Sequence, residues 1–187
     1  RKLYPGIKFF SDYREMLKLR EVDAVVIATP TMTHYGIAWE VIKSGRHLLV
    51  EKPLTTSIQE ARELSEAAVK SNKLLMTGHT FLYNYGIRKA KDYLDSGELG
   101  NAYYIHATRT NLGPIRQDVN ALVDLATHDI AIFLYLLDKM PEAVSAQGSA
   151  YIQKDREDVA FITLFFPDRV IGHIHVSWLE PRKIRLL

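Results

Sequence analysis

Residues 22–53 read VDAVVIATPTMTHYGIAWEVIKSGRHLLVEKP, and they contain the clearest secondary-structure pattern of the chain. It begins with a nearly continuous apolar run (22–29) and ends with a shorter one (47–50), as expected of parallel strands covered on both faces. The apolar residues between them have helical spacing and stop at Gly45, a residue typical of helix ends. The stretch therefore predicts a strand, a helix over 33–44 and a second strand, which together form a βαβ unit.

The alternation of helix and strand continues as far as Gly78. Ser57 and Glu60 have the spacing of a capping box, which predicts a helix that ends near Ser71. The apolar run 74–77 then predicts a third strand. Upstream, we expect the remnant of another strand at Phe9 and Phe10 and a helix over 12–19.

Beyond Gly78 the predicted strands follow one another with fewer intervening helices. The patterns predict, in order, a helix over 86–94, a strand over 103–109, a long helix over 119–137 and strands over 143–152, 159–166 and 170–179. Successive strands without helices between them pair antiparallel. The chain is therefore predicted to be α/β, with a parallel sheet in residues 1–80 followed by an α+β domain with a mostly antiparallel sheet in residues 81–187.

Composition narrows the class of protein. The chain has 187 residues, of which 47% are hydrophobic and 25% charged, as in an ordinary globular protein. The absence of cysteine excludes a disulfide scaffold and a thiolate nucleophile. A net charge of +2 gives no indication of a nucleic-acid partner, and no apolar run approaches the roughly 20 residues that span a bilayer. We therefore expect a cytoplasmic protein that acts on small molecules, with no nucleic-acid or membrane partner.

Glu51, Lys52 and Pro53 follow the second predicted strand, at the edge where open α/β sheets bind ligands. Pro53 disfavours a helical backbone at Lys52, which keeps the lysine at the strand tip. A partly desolvated lysine there can donate a hydrogen bond to a substrate oxygen and assist a proton transfer. An exposed loop lysine beside a turn proline explains the same residues, so the pattern alone leaves both interpretations open.

Asp124 and His128 are the second candidate pair. Their spacing puts both side chains on one face of the long predicted helix, where a carboxylate can orient an imidazole that acts as a general base. A helix-surface ion pair is the alternative, and Asp129 is then available to a neighbouring basic residue. No third ligand accompanies the pair, and His173 and His175 favour a polar pair on a strand, so we predict no metal site.

Other polar residues flank these positions. Thr29, Pro30 and His34 follow the first strand, where they can contact a nucleotide, although a helix entry capped by Thr33 explains them equally well. Four side chains near the loop before Asp124 can bind an anionic substrate, although a solvated loop is the simpler explanation: Arg109, Asn111, Arg116 and Asn120.

Three of these motifs together resemble the Gfo/Idh/MocA family of NAD(P)-dependent oxidoreductases, such as glucose–fructose oxidoreductase and inositol dehydrogenases. The motifs are VDAVVIATP at 22–30, SGRHLLVEKP at 44–53 and Asp124-x-x-x-His128, and His34 lies between the first two. The resemblance extends over most of the chain. It implies a Rossmann-like nucleotide domain, NAD or NADP as the cofactor, a sugar or sugar-nucleotide substrate and a homo-oligomer.

The resemblance also implies roles for individual residues. Lys52, Asp124 and His128 would face the nicotinamide, and His128 would take the proton of a substrate hydroxyl while the hydride passes to the cofactor. Lys52 would donate a hydrogen bond to that oxygen, and Asp124 would orient the substrate or the histidine. Four further residues match positions that line the cofactor in relatives: Thr29, Pro30, His34 and Glu51.

The sequence departs from the family pattern in three places. It contains no G-x-G-x-x-G turn for the pyrophosphate of the cofactor, and it ends soon after the last predicted strand. Val119, Asn120 and Ala121 replace the usual glycine-rich lead-in to the Asp124 helix, although residues 111–129 resemble members that act on nucleotide-linked or amino sugars. We therefore expect the chain to be part of a longer enzyme and inactive alone. The alternative is a non-catalytic dimerisation or interaction module.

Overall fold

The computed structural model describes residues 4–187 of the chain. Two compact units make up the chain, Arg1–Gly78 and His79–Leu187. None of the helices in the described part of the chain is long and apolar enough to cross a membrane.

The first unit contains a three-stranded parallel sheet with the order β1-β2-β3. α1 (Tyr13–Met16) precedes it and is a single turn, shorter than the helix expected over 12–19, and Phe9 and Phe10 form no strand. The three strands predicted between residues 22 and 77 are all present, and two helices connect them as βαβ units require. In chain order these elements are β1 (Ala24–Ile27), α2 (His34–Lys43), β2 (His47–Val50), α3 (Ile58–Lys70) and β3 (Leu75–Thr77).

Within the described residues, the parallel sheet is covered on one face, not on both as its apolar runs predict. In β1, Val25 and Ile27 are buried whereas Val26 is 69% exposed. α2 and α3 pack on the buried face through side chains such as Val41 and Leu64. The described residues thus cover one face of β1, and the cover expected on its other face stays a prediction.

The first turns of α2 and α3 lack the side-chain caps that the sequence predicts. The carbonyl of Ser57 accepts the N–H of Ala61, but its hydroxyl makes no capping hydrogen bond. Thr33 does not cap α2 either, because its hydroxyl donates to the carbonyl of Pro30 at 2.7 Å. The sequence thus predicts where both helices begin, but it does not predict the hydrogen bonds of the Thr33 and Ser57 hydroxyl groups.

The second unit contains a five-stranded sheet with the order β5-β6-β7-β4-β8. The strands are β4 (Tyr104–Thr110), β5 (Ala143–Ser149), β6 (Val159–Phe165), β7 (Ile171–Ser177) and β8 (Ile184–Leu186). β4 and β7 are parallel and all other neighbours are antiparallel, which confirms the predicted mostly antiparallel sheet. β8 is absent from the prediction, and its pairing with β4 places Arg185 opposite Arg109.

Helices cover one face of this sheet. α4 (Tyr85–Asp95) confirms the helix predicted over 86–94. The long helix expected over 119–137 is helical from residue 121, but Leu122–Ala126 form a π-helical turn that leads into α5 (Thr127–Leu137). Such turns are rare and often occur at functional sites.

A close approach between α5 and β7 sets the spacing of this core. A Cβ on Gly172 of β7 would lie 2.8 Å from Cδ2 of Phe133 on α5, so the absence of a side chain lets the ring rest on the strand. Buried side chains of β6 and β7, among them Ile162, Leu164 and Ile174, surround this contact.

Candidate active site

The carboxyl edge of the parallel sheet carries the first group of candidate residues. Thr29 and Pro30 are exposed after β1, and the half-buried Glu51 and Lys52 follow β2. The Thr29 hydroxyl lies 2.7 Å from the Thr33 hydroxyl, which orders the turn between β1 and α2. Ligands of open α/β sheets bind at this edge, so these residues lie where a nucleotide is expected.

The carboxylate of Glu51 lies against Gly78, the residue after β3. A Cβ at position 78 would be 3.2 Å from both Cδ and Oε2 of Glu51, so the glycine makes room for the carboxylate. Oε2 also accepts the backbone N–H of Lys52 at 3.2 Å. The carboxylate is thus held along the sheet edge, and its oxygens suit the hydroxyl groups of a ribose.

His34 lies beneath this edge and does not line it. The residue is 1% exposed, and its Nδ1 and Nε2 each lie 2.9 Å from a carbonyl oxygen, those of Pro53 and Thr29 respectively. One imidazole therefore joins the turn after β1 to the turn after β2. The ring contacts the edge through the backbone of Thr29 and Pro53, and the expected role of His34 at the cofactor stays a prediction.

In the second unit, Asp124 lies half-buried on the π-helical turn. Its Oδ1 accepts a hydrogen bond from Nη1 of Arg116 at 3.2 Å, and its Oδ2 accepts one from the indole N–H of Trp178 at 3.4 Å. Trp178 is itself buried, as expected of a core aromatic residue. The two donors approach different oxygens, so they fix the orientation of the carboxylate.

Arg116 also binds Asp118, with Nε 2.9 Å from Oδ1 and Nη2 bonded to the second oxygen. The hydrogen bonds to Asp118 are the main cause that raises the pKa of the Arg116 guanidinium above its usual value, and the charge of Asp124 contributes. Arg116 thus holds two carboxylates of its own chain. The expected role of Arg116 in binding an anionic substrate stays a prediction.

His128 lies in the first turn of α5, just after the π-helical turn. The ring of Phe81, from the 3₁₀ turn Thr80–Tyr83, packs edge to face with the imidazole at a centroid distance of 4.7 Å and an interplanar angle of 69°. No sequence pattern pointed to Phe81. Its contact with His128 joins residues far apart in the chain, which a reading of local periodicity does not detect.

Arg109 is buried in an ion pair with Asp129. Its Nε and Nη2 donate to the two oxygens of Asp129 at 2.9 and 2.7 Å. The side chains of Arg109 and Asp129 are only 7% and 3% exposed. Asp129 thus pairs with a basic residue, as the sequence allows. The expected role of Arg109 in binding an anionic substrate stays a prediction.

Two asparagines complete the set of predicted substrate residues. Asn120 donates from Nδ2 to Oε2 of Glu157 at 2.7 Å, and its Oδ1 accepts the N–H of Val123 at 2.9 Å, which caps the helical segment. Asn111 donates its backbone N–H to the carbonyl of Ser177 at 3.0 Å. Among residues 4–187, no three His, Asp or Glu side chains are gathered as metal ligands would be.

Two protein-family models match the chain. Residues 3–79 match the oxidoreductase-family model of the NAD-binding Rossmann fold, and residues 87–186 match the model of the GFO/IDH/MocA C-terminal domain. The second match alone covers more than half of the chain.

Individual relatives agree with these matches. The chain is 35% identical over 174 residues to the UDP-N-acetylglucosamine 3-dehydrogenase of Acidithiobacillus ferrooxidans, covering 90% of this chain and 53% of that protein. It is 32% identical over 184 residues to the scyllo-inositol 2-dehydrogenase (NAD(+)) of Bacillus subtilis, covering 93% and 54%. The solved structure of GenD2 from gentamicin A biosynthesis, in complex with NAD, has a TM-score of 0.89 and 31% identity, covering 95% of this chain and 54% of that one.

The chain spans about half the length of the curated relatives it matches. Its two sheets correspond to the two matched models, the parallel sheet to the Rossmann fold and the mixed sheet to the C-terminal domain. The chain belongs to the Gfo/Idh/MocA family of NAD-binding oxidoreductases.

Proposed function

We propose that this chain supplies the proton-transfer residues of an NAD(P)-dependent dehydrogenase that oxidises a hydroxyl group of a sugar or sugar nucleotide, or reduces the corresponding ketone. The proposal is carried by Lys52 at the ligand edge of the parallel sheet, in a chain whose Asp124 and His128 adjoin a π-helical turn. Residues 1–80 then belong to the nucleotide domain, and residues 81–187 to the substrate and oligomerisation domain.

His128 is the proposed general base. In the oxidation, its imidazole accepts the proton of the substrate hydroxyl while the adjacent C–H bond breaks and its electron pair leaves as hydride. The ammonium group of Lys52 donates a hydrogen bond to the same oxygen and stabilises the negative charge that develops there. In the reverse direction the imidazolium of His128 returns the proton to the oxygen.

Asp124 orients groups and does not itself transfer a proton. Arg116 and Trp178 donate to its two oxygens and hold the carboxyl group in one orientation. A carboxylate held in this way can accept a hydrogen bond from a substrate hydroxyl or from the ring of His128. Asp124 then affects the rate of proton transfer by orienting the substrate or the ring of His128.

Thr29, Pro30 and Glu51 are the proposed cofactor-facing residues. The exposed Thr29 hydroxyl and the Glu51 carboxylate over Gly78 offer polar atoms that fit the ribose hydroxyls of a nicotinamide nucleotide. When bound, NAD or NADP supplies the acceptor for the hydride. The sequence has no glycine-rich turn to hold a pyrophosphate, so we propose that the 187 residues are inactive alone and that a longer cytoplasmic protein carries the activity.

A second copy of the chain is the proposed partner. Ala160, Ile162 and Leu164 of β6 are buried in the core beneath α5, so Phe161 and Phe165, which alternate with them, lie on the opposite face, 46% and 41% exposed. This exposed aromatic face is also the observation that favours the alternative function, a non-catalytic dimerisation module. Nicotinamide binding separates the two functions, because only the dehydrogenase requires it.

The test is a substrate and cofactor screen on the full-length protein. NAD and NADP are each combined with UDP-N-acetylglucosamine and with scyllo-inositol, the substrates named for two relatives, and nicotinamide reduction is followed by absorbance. We expect turnover with a sugar-type alcohol and at least one cofactor. Absence of nicotinamide binding in a stable dimer would support the interaction module instead.

A further inference from the structure

The ring of Phe81 contacts both the proposed base and two guanidinium groups. Its centroid is 4.7 Å from that of the His128 imidazole. The Cζ atoms of Arg109 and Arg185 lie 4.3 and 5.5 Å from the same centroid. A guanidinium near an aromatic ring is attracted by the ring quadrupole, so these contacts hold the Phe81 ring in place.

Arg109 can hold the ring firmly because its own position is fixed. The bidentate ion pair with Asp129 restrains the guanidinium plane, and both side chains are excluded from water. Asp129 follows His128 directly in α5, so the carboxylate that anchors Arg109 is part of the same helical turn as the base. A closed path of contacts therefore runs from Asp129 through Arg109 and Phe81 back to His128.

The ion pair also limits the electrostatic effect of Arg109 on the base. An unpaired guanidinium near His128 would oppose the positive charge that the imidazole gains when it accepts a proton. Asp129 compensates that charge at 2.7 Å. Arg109 can thus act on the Phe81 ring without placing an uncompensated cation beside His128.

We infer that Phe81 is a positioning residue that restricts the imidazole of His128 to one orientation, and that the Arg109–Asp129 pair acts on His128 through this ring. The inference rests on the proposed function of His128 as the base. It assigns to Arg109 and Phe81 a role in proton transfer without contact with the substrate. A base displaced by about 1 Å can lose roughly a hundredfold in rate, so a loosened ring should lower kcat.

The experiment compares Phe81→Leu and Phe81→Tyr in the full-length protein. Leucine removes the aromatic ring from a half-buried site, whereas tyrosine keeps it. We expect the leucine variant to lose about tenfold or more in kcat with little change in KM or in nicotinamide binding. The tyrosine variant should recover most of that loss.

A matched control is Tyr93→Leu on α4, which removes an exposed ring that also contacts a cation, Nζ of Lys89 at 4.4 Å. Its kcat should remain within about twofold of the wild type, whereas that of the Phe81→Leu variant falls. Thermal unfolding curves show whether each variant is folded. Equal kcat in the wild type and both leucine variants, all of them folded, would overturn the inference.

A second readout does not require turnover. The ring resonances of His128 in the NMR spectrum report its orientation, and we expect them to shift and broaden in the Phe81→Leu variant but not in the Tyr93→Leu variant. If the wild type fails to reduce any nicotinamide, the proposed function fails while this comparison still tests the contact. Unchanged His128 resonances in the Phe81→Leu variant would contradict the inference on their own.

Discussion

Removal of Arg109 tests how strongly its buried ion pair stabilises the second unit. In Arg109→Met, Asp129 keeps a carboxylate that is 3% exposed and loses both of its guanidinium hydrogen bonds. Breaking a buried pair from one side costs about 3–5 kcal/mol, because the remaining charge is uncompensated. We expect that loss in the free energy of unfolding. Asp129→Leu should lose a similar amount.

The double variant distinguishes the energetic effect of removing the whole ion pair from that of leaving one buried charge without its partner. Replacing a whole buried ion pair by apolar side chains is often neutral or stabilising, and the lost guanidinium–Phe81 contact is worth roughly 1 kcal/mol. Arg109→Met/Asp129→Leu should therefore be more stable than either single variant by at least about 2 kcal/mol.

Urea unfolding followed by tryptophan fluorescence provides the assay. The chain has two tryptophans, Trp39 in the first unit and the buried Trp178 in the second. In a Trp39→Phe background the signal comes from Trp178, so it reports the unit that contains the ion pair. Asp95→Asn is the control, since Asp95 is 58% exposed in its pair with Lys91 and such pairs contribute about 0.3–0.5 kcal/mol. A double variant less stable than both singles would refute the reasoning.

Two further predictions concern packing and pH. Gly172→Ala should lower the free energy of unfolding in urea by about 1–3 kcal/mol, because its Cβ would lie 2.8 Å from Phe133. Gly36→Ala in α2 has open space around it and should raise that free energy by roughly 0.5–1 kcal/mol. Equal effects of the two substitutions would contradict this expectation. Burial is the main cause of the lowered pKa of His175. The charges of His173 and His106 lower this pKa further, and the charge of Glu180 raises it. Because the pKa is lowered in the folded state, the unfolded state binds the proton of His175 more readily. The contribution of His175 to stability is therefore fully present above its usual pKa of about 6.5, and it is lost as the pH falls from that value through the lower pKa of the folded state. His175→Gln should reduce the loss of stability in that range, and an unchanged pH profile of unfolding would show that His175 does not contribute.

The fold of the first unit was predictable because its signals are local. The strand at 47–50 was located to the residue, since an apolar run followed by Glu51, Lys52 and Pro53 leaves little choice of boundary. The one-sided cover of β1 was not predictable, because it depends on what packs against Val26. Periodicity describes the face that a strand buries and not the number of layers around it.

The candidate site was predictable only as a set of residue types. Lys52, Asp124 and His128 were selected from their motifs, and they remain the proposed chemistry. The partners of Arg109 and Arg116 were not predictable, because each depends on a fold in which α5, β4 and the loop before the π-helical turn meet. The π-helical turn itself leaves no mark in the hydrophobic pattern, since Ala121 and Leu122 suit an α-helix equally well.

The dehydrogenase proposal depends on His128 as the base that takes the substrate proton and on Lys52 as the hydrogen-bond donor to the reacting oxygen. The most direct measurement is the turnover of Lys52→Met and His128→Ala in the full-length protein, with nicotinamide binding measured by fluorescence titration on the same samples. We expect both variants to bind the nucleotide as the wild type does and to lose about a hundredfold or more in kcat. Near-normal turnover in both variants would contradict the roles of His128 as the base and of Lys52 as the hydrogen-bond donor to the reacting oxygen.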